Sequence, residues 1–265
     1  MTTLEAIQNL SNLLNSKYST TFSIDSKESD IRFRLPTPLI LDQKLNYELG
    51  LSWFSVYNRL FNINETNNKF FSIYRLEHAQ KIELSPGAYE IKNLSNIMNI
   101  KICKQLKIEV DPKNLQIELI PDLTNGKCLM KNKVSIIFSE GLAKLLGFEG
   151  GKKYDAGEHL SENNINISNV TRINIECDQI EGGYVDMGII RSSIPHLRTT
   201  NIIYSFPAFA VPFGFKILER MNPPIYFPLI SKTISEMRIR ILDQNGNLLS
   251  FNGEDISMYL HLRQV

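Results

Sequence analysis

From Ile31 onward, apolar and polar residues change places at almost every step, in short runs separated by turn residues. Ile31-Arg-Phe-Arg-Leu35 is the first run and ends at Pro36 and Pro38; Tyr47-Glu-Leu-Gly-Leu-Ser-Trp-Phe-Ser-Val-Tyr57 is a longer one. A period of two buries one face of a strand and cannot bury one face of a helix, whose side chains recur every 3.6 residues. Further strand candidates fall at 70–75, 80–84, 106–110, 114–120, 128–138, 170–177, 200–206, 225–230, 235–242, 247–251 and 256–263. Ile, Val, Phe and Tyr are common in them, as a pleated, half-buried surface favours. Strands do not alternate with long helices, which argues against Rossmann and TIM architectures, and no repeat of 20–50 residues suggests a propeller. The pattern predicts a mainly β chain, a β-sandwich or jelly roll.

Local signals refine this. In Met237-Arg-Ile-Arg-Ile-Leu-Asp-Gln-Asn-Gly-Asn-Leu-Leu-Ser-Phe251, two apolar runs flank Asn245-Gly246, a pair suited to the positive φ values of a tight hairpin. Residues 88–102 place Ile91, Leu94, Ile97 or Met98, and Ile102 on one helical face, just after Pro86-Gly87. Residues 139–146 read as a second short helix, with Ser139 as N-cap and Gly147 as the C′ residue. The Asn-rich stretch 62–68 reads as an exposed loop.

The first thirty residues differ in kind. Leu4, Ile7, Leu10 and Leu14 recur at three- and four-residue steps in 3–16, which predicts a short amphipathic helix capped by Thr2 or Thr3. Residues 16–30 are rich in Ser, Thr, Lys and Asp and read as a linker. Such a short helix is marginal alone, so its apolar face needs its own domain or a partner. The expected organisation is an N-terminal arm over 1–30 and a β domain over 31–265, with inserted segments allowed. Leu4, Ile7, Leu10 and Leu14 are the candidate partner-binding residues.

Composition narrows the function. Lys+Arg number 29 and Asp+Glu 28, and apolar residues make up 43%. A disordered chain would be poorer in apolar residues, and a protein that coats nucleic acid by bulk charge needs many unbalanced cations. Direct nucleic-acid binding is therefore not expected. Cys103, Cys128 and Cys177 are widely spaced, which argues against a disulfide framework and against a zinc site. The start Met-Thr-Thr-Leu-Glu-Ala lacks the basic and apolar regions of a signal peptide, so synthesis inside the cell is expected, and the sequons at Asn9, Asn64, Asn93, Asn166 and Asn169 read as accidents of an Asn-rich chain. No apolar run approaches the about 18 residues of a membrane span.

No motif for catalysis emerges. His78, His159, His196 and His261 have no second ligand at metal spacing; His261 reads as a strand residue and His159 as part of an exposed loop. Asp243-x-Asn245 opens like a calcium loop, but Leu248 stands where that pattern needs glycine. Glycines 141, 147, 150 and 151 form no phosphate loop, and no G-x-S-x-G elbow exists. Cys177-Asp178 has no nearby histidine in sequence. The aromatic stretch Tyr204-Ser-Phe-Pro-Ala-Phe-Ala-Val-Pro-Phe-Gly-Phe215 has few interleaved cations, so it reads as core and loop packing, its exposed rings available to a neighbour. No catalytic, cofactor-binding or metal-binding residue is assigned, no cofactor is expected, and the chain is read as a non-enzyme.

An ordered set of blocks points further. Leu39-Ile-Leu-Asp42 and Tyr47-Glu-Leu-Gly-Leu51 precede Asn68-Lys-Phe-Phe71 and Ile82-Glu-Leu-Ser-Pro-Gly-Ala-Tyr-Glu-Ile91. Ser139 through Leu145-Leu-Gly-Phe148, His159-Leu-Ser161 and Ile173-Asn-Ile-Glu-Cys-Asp178 follow. Then come Ile203-Tyr-Ser-Phe206, Pro212-Phe-Gly-Phe-Lys-Ile217, Asp243-Gln-Asn-Gly246, Phe251-Asn-Gly-Glu254 and Leu260-His-Leu-Arg263. In this order, over roughly residues 30–265, the chain resembles the minor capsid (penton) proteins of Polinton/Maverick elements and related adintovirus- and virophage-like viruses. It departs from them at Pro212-Phe213-Gly214, where Pro-Pro-Gly is expected. The resemblance implies a jelly-roll β-sandwich with short helical insertions and a short N-terminal helix. It implies a homopentamer at the vertex of an icosahedral virion capsid, among larger double-jelly-roll major capsid subunits, with the N-terminal segment reaching beneath the shell. From the residues alone, a non-catalytic sugar- or receptor-binding module and a vertex cement or spike-base protein stay open.

Overall fold

The structure, a computed structural model, describes residues 18–74, 79–168, 170–182, 184–186, 197–199 and 201–265. The expected helix over 3–16, with Leu4, Ile7, Leu10 and Leu14, lies outside the described residues. The described residues form two compact units, one comprising those up to Arg59 and from Thr171 on, the other those between Leu60 and Val170. The first unit begins with β1 (Ser19–Ser26), β2 (Asp30–Ile40) and β3 (Tyr47–Tyr57). The second contains β4 (Lys69–Ile73), β5 (Gln80–Glu83), α1 (Ile91–Leu106), β6 (Ile117–Asp122), β7 (Lys127–Asn132), β8 (Ser135–Phe138), α2 (Glu140–Leu146), β9 (Lys153–Tyr154) and β10 (Gly157–Leu160). The first unit resumes with β11 (Arg172–Cys177), β12 (Tyr184–Asp186), β13 (Leu197–Thr199), β14 (Ile202–Pro207), β15 (Lys216–Arg220), β16 (Tyr226–Pro228), β17 (Thr233–Leu242) and β18 (Ile256–Gln264).

The first unit is a jelly roll. One sheet runs β1-β18-β3-β15, with β16 also on β3, and the other runs β14-β11-β17-β2. Its principal strands pair first with last (β1–β18), second with seventh (β2–β17), third with sixth (β3–β15) and fourth with fifth (β11–β14). That is a long antiparallel ribbon folded over on itself, in which every strand keeps one face for the core. Alternation supplies that face: Leu49, Leu51, Phe54 and Val56 on β3 and Met258, Leu260 and Leu262 on β18 are all buried. Phe54 meets Phe206 of the facing sheet at 5.6 Å between ring centroids, and Phe22 meets Phe33 at 6.2 Å.

Two segments of this unit depart from their sequence reading. The expected linker contains β1, because an edge strand with one wet face needs only Phe22 and Ile24 for the core and fills its other positions with Ser, Thr and Asp. β2 does not stop at its prolines: Leu35–Pro38 bulge opposite Ser235, and pairing resumes at Leu39 and Ile40. Proline lacks an N–H to donate, and β2 is an edge strand, where that loss is tolerated.

The second unit has its own core, built on the sheets β5-β4-β8-β9 and β10-β7-β6 and both helices. Leu94, Met98 and Ile102 lie a helical turn apart and are fully buried. The same face of α1 carries two polar side chains that serve the backbone in and just before β6: Leu119 N–H donates to Ser95 Oγ at 2.9 Å and Gln116 N–H to Asn99 Oδ1 at 2.6 Å. Since β6 is an edge, the helix covers donors that no strand pairs. The strand expected over 106–110 is absent because α1 runs to Leu106 and ends on Lys107 in the left-handed region, at φ 55°. The run 128–138 is two strands, β7 and β8. α2 ends as expected at Gly147, where a Cβ would stand 2.2 Å from the Asn163 carbonyl oxygen, while Ser139 precedes the helix without a side-chain cap bond.

The Asn-rich stretch is not an exposed loop. Asn62 Nδ2 donates to the carbonyls of Tyr89 (2.7 Å) and Ile167 (3.0 Å), and its Oδ1 accepts from Tyr89 N–H (2.9 Å). Asn67 Nδ2 donates to the Asn62 carbonyl and Asn68 Nδ2 to the Leu84 carbonyl, and Asn67, Asn68 and Ile63 are buried. Asparagine carries both a donor and an acceptor, so it can replace a missing ladder partner inside a unit, a use that composition does not separate from a wet loop.

Candidate functional site

The outward face of the five-stranded sheet breaks the rule that a sandwich turns polar side chains to solvent. Register places its residues in rows. Ser23, Tyr259, Trp53 and Arg220 form one row across β1, β18, β3 and β15; Thr21, His261, Gly50 and Tyr226 form the next across β1, β18, β3 and β16. Ser19, Arg263, Glu48 and Pro228 follow on one side, and Asp25, Ser257, Ser55 and Leu218 on the other, with Lys216 opposite Tyr57 at the strand end. A bulge at Ser52, the extra residue between Leu51 and Trp53, turns Trp53 outward, where it stacks on Tyr259 at 4.8 Å and 27°. Tyr57 (45% exposed), Tyr259 (42%) and Leu218 (46%) remain open on this face. The Lys216 ammonium stands 5.7 Å from the Tyr57 ring centre.

Tyr226 lies across Gly50, where a Cβ would stand 2.7 Å from the Ile225 carbonyl oxygen and 3.0 Å from the tyrosine ring. The Arg263 guanidinium covers that ring at 3.6 Å and binds Glu48 at 2.9 Å. His261 Nδ1 is 2.7 Å from the Tyr226 hydroxyl and its Nε2 is 2.7 Å from Ser19 Oγ. One imidazole proton lets one ring nitrogen donate and the other accept, so the two hydroxyls are bound in opposite senses. The side-chain chain Ser19–His261–Tyr226, which crosses between two of these rows, has the connectivity of a hydrolase triad, but a phenol stands where such a triad has a carboxylate. Its geometry ties β1, β18 and β16 together, and His261 is a strand residue as its alternation predicts.

Other chemistry-bearing residues are scattered. His159 is in β10, not a loop, with Nε2 2.6 Å from the Asp155 carbonyl oxygen. His78 and His196 lie outside the described residues. Among the described residues no group of three or more His, Cys, Asp or Glu is placed to hold a metal ion, and no helix is long and apolar enough to cross a membrane. The three thiols are free and buried; burial pushes Cys128 and Cys177 up to about 12 and Cys103 above its ordinary value. In the second unit burial pushes Tyr154 up to about 12, and its hydroxyl donates to Glu162 at 3.0 Å. Burial also raises Glu162, but hydrogen bonds from Lys152 and Tyr154 outweigh it and hold that carboxyl below its usual value. On the other jelly-roll sheet the Arg238 guanidinium, bidentate to Asp30 at 2.6 and 2.7 Å, holds the Asp30 carboxyl low.

The Asn245-Gly246 turn is present in altered form. Only Gly246 has positive φ, and the Asp243 side chain closes the turn by accepting from the N–H groups of Asn245 (2.8 Å) and Asn247 (2.9 Å). Residues 247–251 form no strand beyond a single bridge between Leu242 and Leu248. In the stretch 204–215 Phe206 is core, while Phe215 is exposed just before β15. The outward rings Trp53, Tyr57, Tyr226 and Tyr259 were not singled out in the sequence, although the alternation of 256–263 already sets Tyr259, His261 and Arg263 on one side.

No family model and no curated protein matches the chain. Among solved structures it is similar in fold to the mavirus penton protein, at 12% identity and a TM-score of 0.49, over 94% of this chain and 100% of that one. It is also similar to a chain of the Sputnik virophage structure, at 10% identity and a TM-score of 0.46, over 92% of this chain and 97% of that one.

Proposed function

We propose that this chain is a structural capsid protein that assembles with copies of itself into the pentameric vertex of an icosahedral virion. One observation carries the reading: a jelly roll whose outer sheet face presents Trp53, Tyr57 and Tyr259 beside Lys216, Arg220 and Arg263. Aromatic and arginine side chains are the ones that dominate protein interfaces, and a five-fold ring needs packing surfaces rather than a reaction centre. The ordered sequence blocks that resemble Polinton/Maverick penton proteins support the same reading. Under it the further partner is a double-jelly-roll major capsid protein, the chain is synthesised in the host cytoplasm, nucleic acid is not bound directly, and the chain does not span a membrane. Leu4, Ile7, Leu10 and Leu14 are proposed to contact the shell or a neighbouring subunit, so deleting residues 1–16 leaves the β domain folded and weakens that contact.

The test is the mass and shape of the purified chain. Sedimentation and negative-stain images are expected to show five-fold rings as concentration rises; a monomer at every concentration overturns the reading. A sugar-binding module is the second reading, favoured by the exposed rings of Tyr57 and Tyr259. Glycan-array binding by a chain that never assembles would establish it instead.

A further inference from the structure

A ring of identical subunits joins two different surfaces, since one face of each copy meets another face of the next. The first unit offers a cationic, aromatic surface: Trp53, Tyr57 and Tyr259 with Lys216 and Arg220, the latter without an ion-pair partner among the described residues. The chain as a whole is almost neutral, 29 cations against 28 anions, so this local excess is balanced elsewhere.

The second unit holds a segment of matching character. Lys107–Asn114 follows α1 and is exposed at every residue. Within it Ile108 and Val110 are each 44% exposed, beside Glu109 and Asp111, and Lys107 and Lys113 flank these four residues on either side. Ile108 N–H is bonded to the Cys103 carbonyl, and Asp111 Oδ1 accepts from Lys113 N–H at 2.8 Å. Between these anchors Glu109 and Val110 belong to no ladder, and Glu109 has no ion-pair partner among the described residues. The residue types are those of a strand, which is why the sequence predicts one here, yet no strand pairs with it among the described residues. An open, strand-prone, aliphatic segment is a docking element unless something covers it.

We infer that Ile108–Asp111 of one copy docks on the Trp53–Tyr57–Arg220 face of a second copy, its aliphatic side chains on the aromatic rings and its acids toward Lys216 and Arg220. The inference rests on the self-assembly proposed above and names its two surfaces. Complementary charge sets the direction of the contact, and like charges in the same place oppose it.

The experiment uses the full chain, with Arg220→Glu, Glu109→Arg and the variant carrying both changes. All four positions of comparison, including the wild type, are read by mass photometry over a concentration series, with circular dichroism and thermal unfolding as controls of folding. Both altered side chains are exposed, so the folded monomer is expected to be unchanged. Each single reversal is expected to weaken assembly by at least about tenfold, and the double reversal to recover much of that loss. Trp53→Ala is expected to weaken assembly as well. Single reversals that assemble like the wild type overturn the inference while leaving the vertex reading standing. So does a double reversal no better than the worse single, or a loss confined to binding of another capsid protein. A wild type that stays monomeric throughout overturns both.

Discussion

The Tyr226 hydroxyl and His261 Nδ1 stand 2.7 Å apart although their strands, β16 and β18, flank β3 on opposite sides. They reach each other because the residue between them is Gly50, whose missing side chain lets the tyrosine ring lie flat on the sheet. Gly50→Val therefore drives a branched side chain into the Ile225 carbonyl and the Tyr226 ring. The expected loss is about 1–3 kcal/mol of folding stability, as for other overpacked sites. Tyr226→Phe keeps the ring and removes only the hydroxyl, for a loss of about 0.5–1.5 kcal/mol. Urea unfolding of both variants checks the order; equal losses would mean that the ring contact with Gly50 is unimportant.

Asn62 joins the two ends of the second unit's chain path, since its one side chain binds Tyr89 twice and Ile167 once. Asn62→Ala leaves those backbone groups unpaired and is expected to cost about 1–3 kcal/mol. Hydrogen exchange should locate the weakening in residues 60–68, 89 and 165–168. Protection unchanged there would place the strength of this closure elsewhere.

The three thiols report on opening. Cys103, Cys128 and Cys177 are at most 1% exposed, and burial disfavours the thiolate that reacts. At pH 8 the native chain is expected to leave all three unlabelled by a thiol reagent, and the urea-unfolded chain to label all three. Rapid labelling of any one in native buffer would contradict its burial.

Asp30 anchors the edge strand β2 to β17 through Arg238. Its folded pKa lies below the unfolded value, chiefly through the Arg238 hydrogen bond. A carboxyl depressed in this way contributes stability in full above its unfolded pKa and loses it as pH falls through the folded one. Wild type should therefore exceed Asp30→Asn in stability at pH 7, with the gap closing by pH 3. Unfolding curves at the two pH values decide, and a gap that widened on acidification would reverse the assignment.

Much of the jelly roll was legible in the residues because one wet face and one dry face write a period of two. Tyr47–Tyr57 and Ile256–Gln264 stand where alternation puts them, and the Ser139–Gly147 helix has the expected bounds. β1 was hidden because an edge strand needs only Phe22 and Ile24 for the core, and a string of Ser and Thr looks the same in a linker. The strand expected over 106–110 failed because the helix runs to Leu106, and Ile108 and Val110 have the propensity for a ladder but no partner among the described residues.

The sequence by itself determined the β class, the strands' inward faces, the scattered histidines and cysteines and the near balance of charge, all of which depend on residue type and spacing along one segment. Only the tertiary structure decided that Ser52 bulges and turns Trp53 onto Tyr259, that Tyr226 crosses Gly50 to His261, and that Asn62 closes the second unit. Register between strands far apart in sequence creates the first two relationships, and a one-residue slip would send those side chains to the other face, while Asn62, between β3 and β4, closes its unit by hydrogen bonds to distant backbone groups.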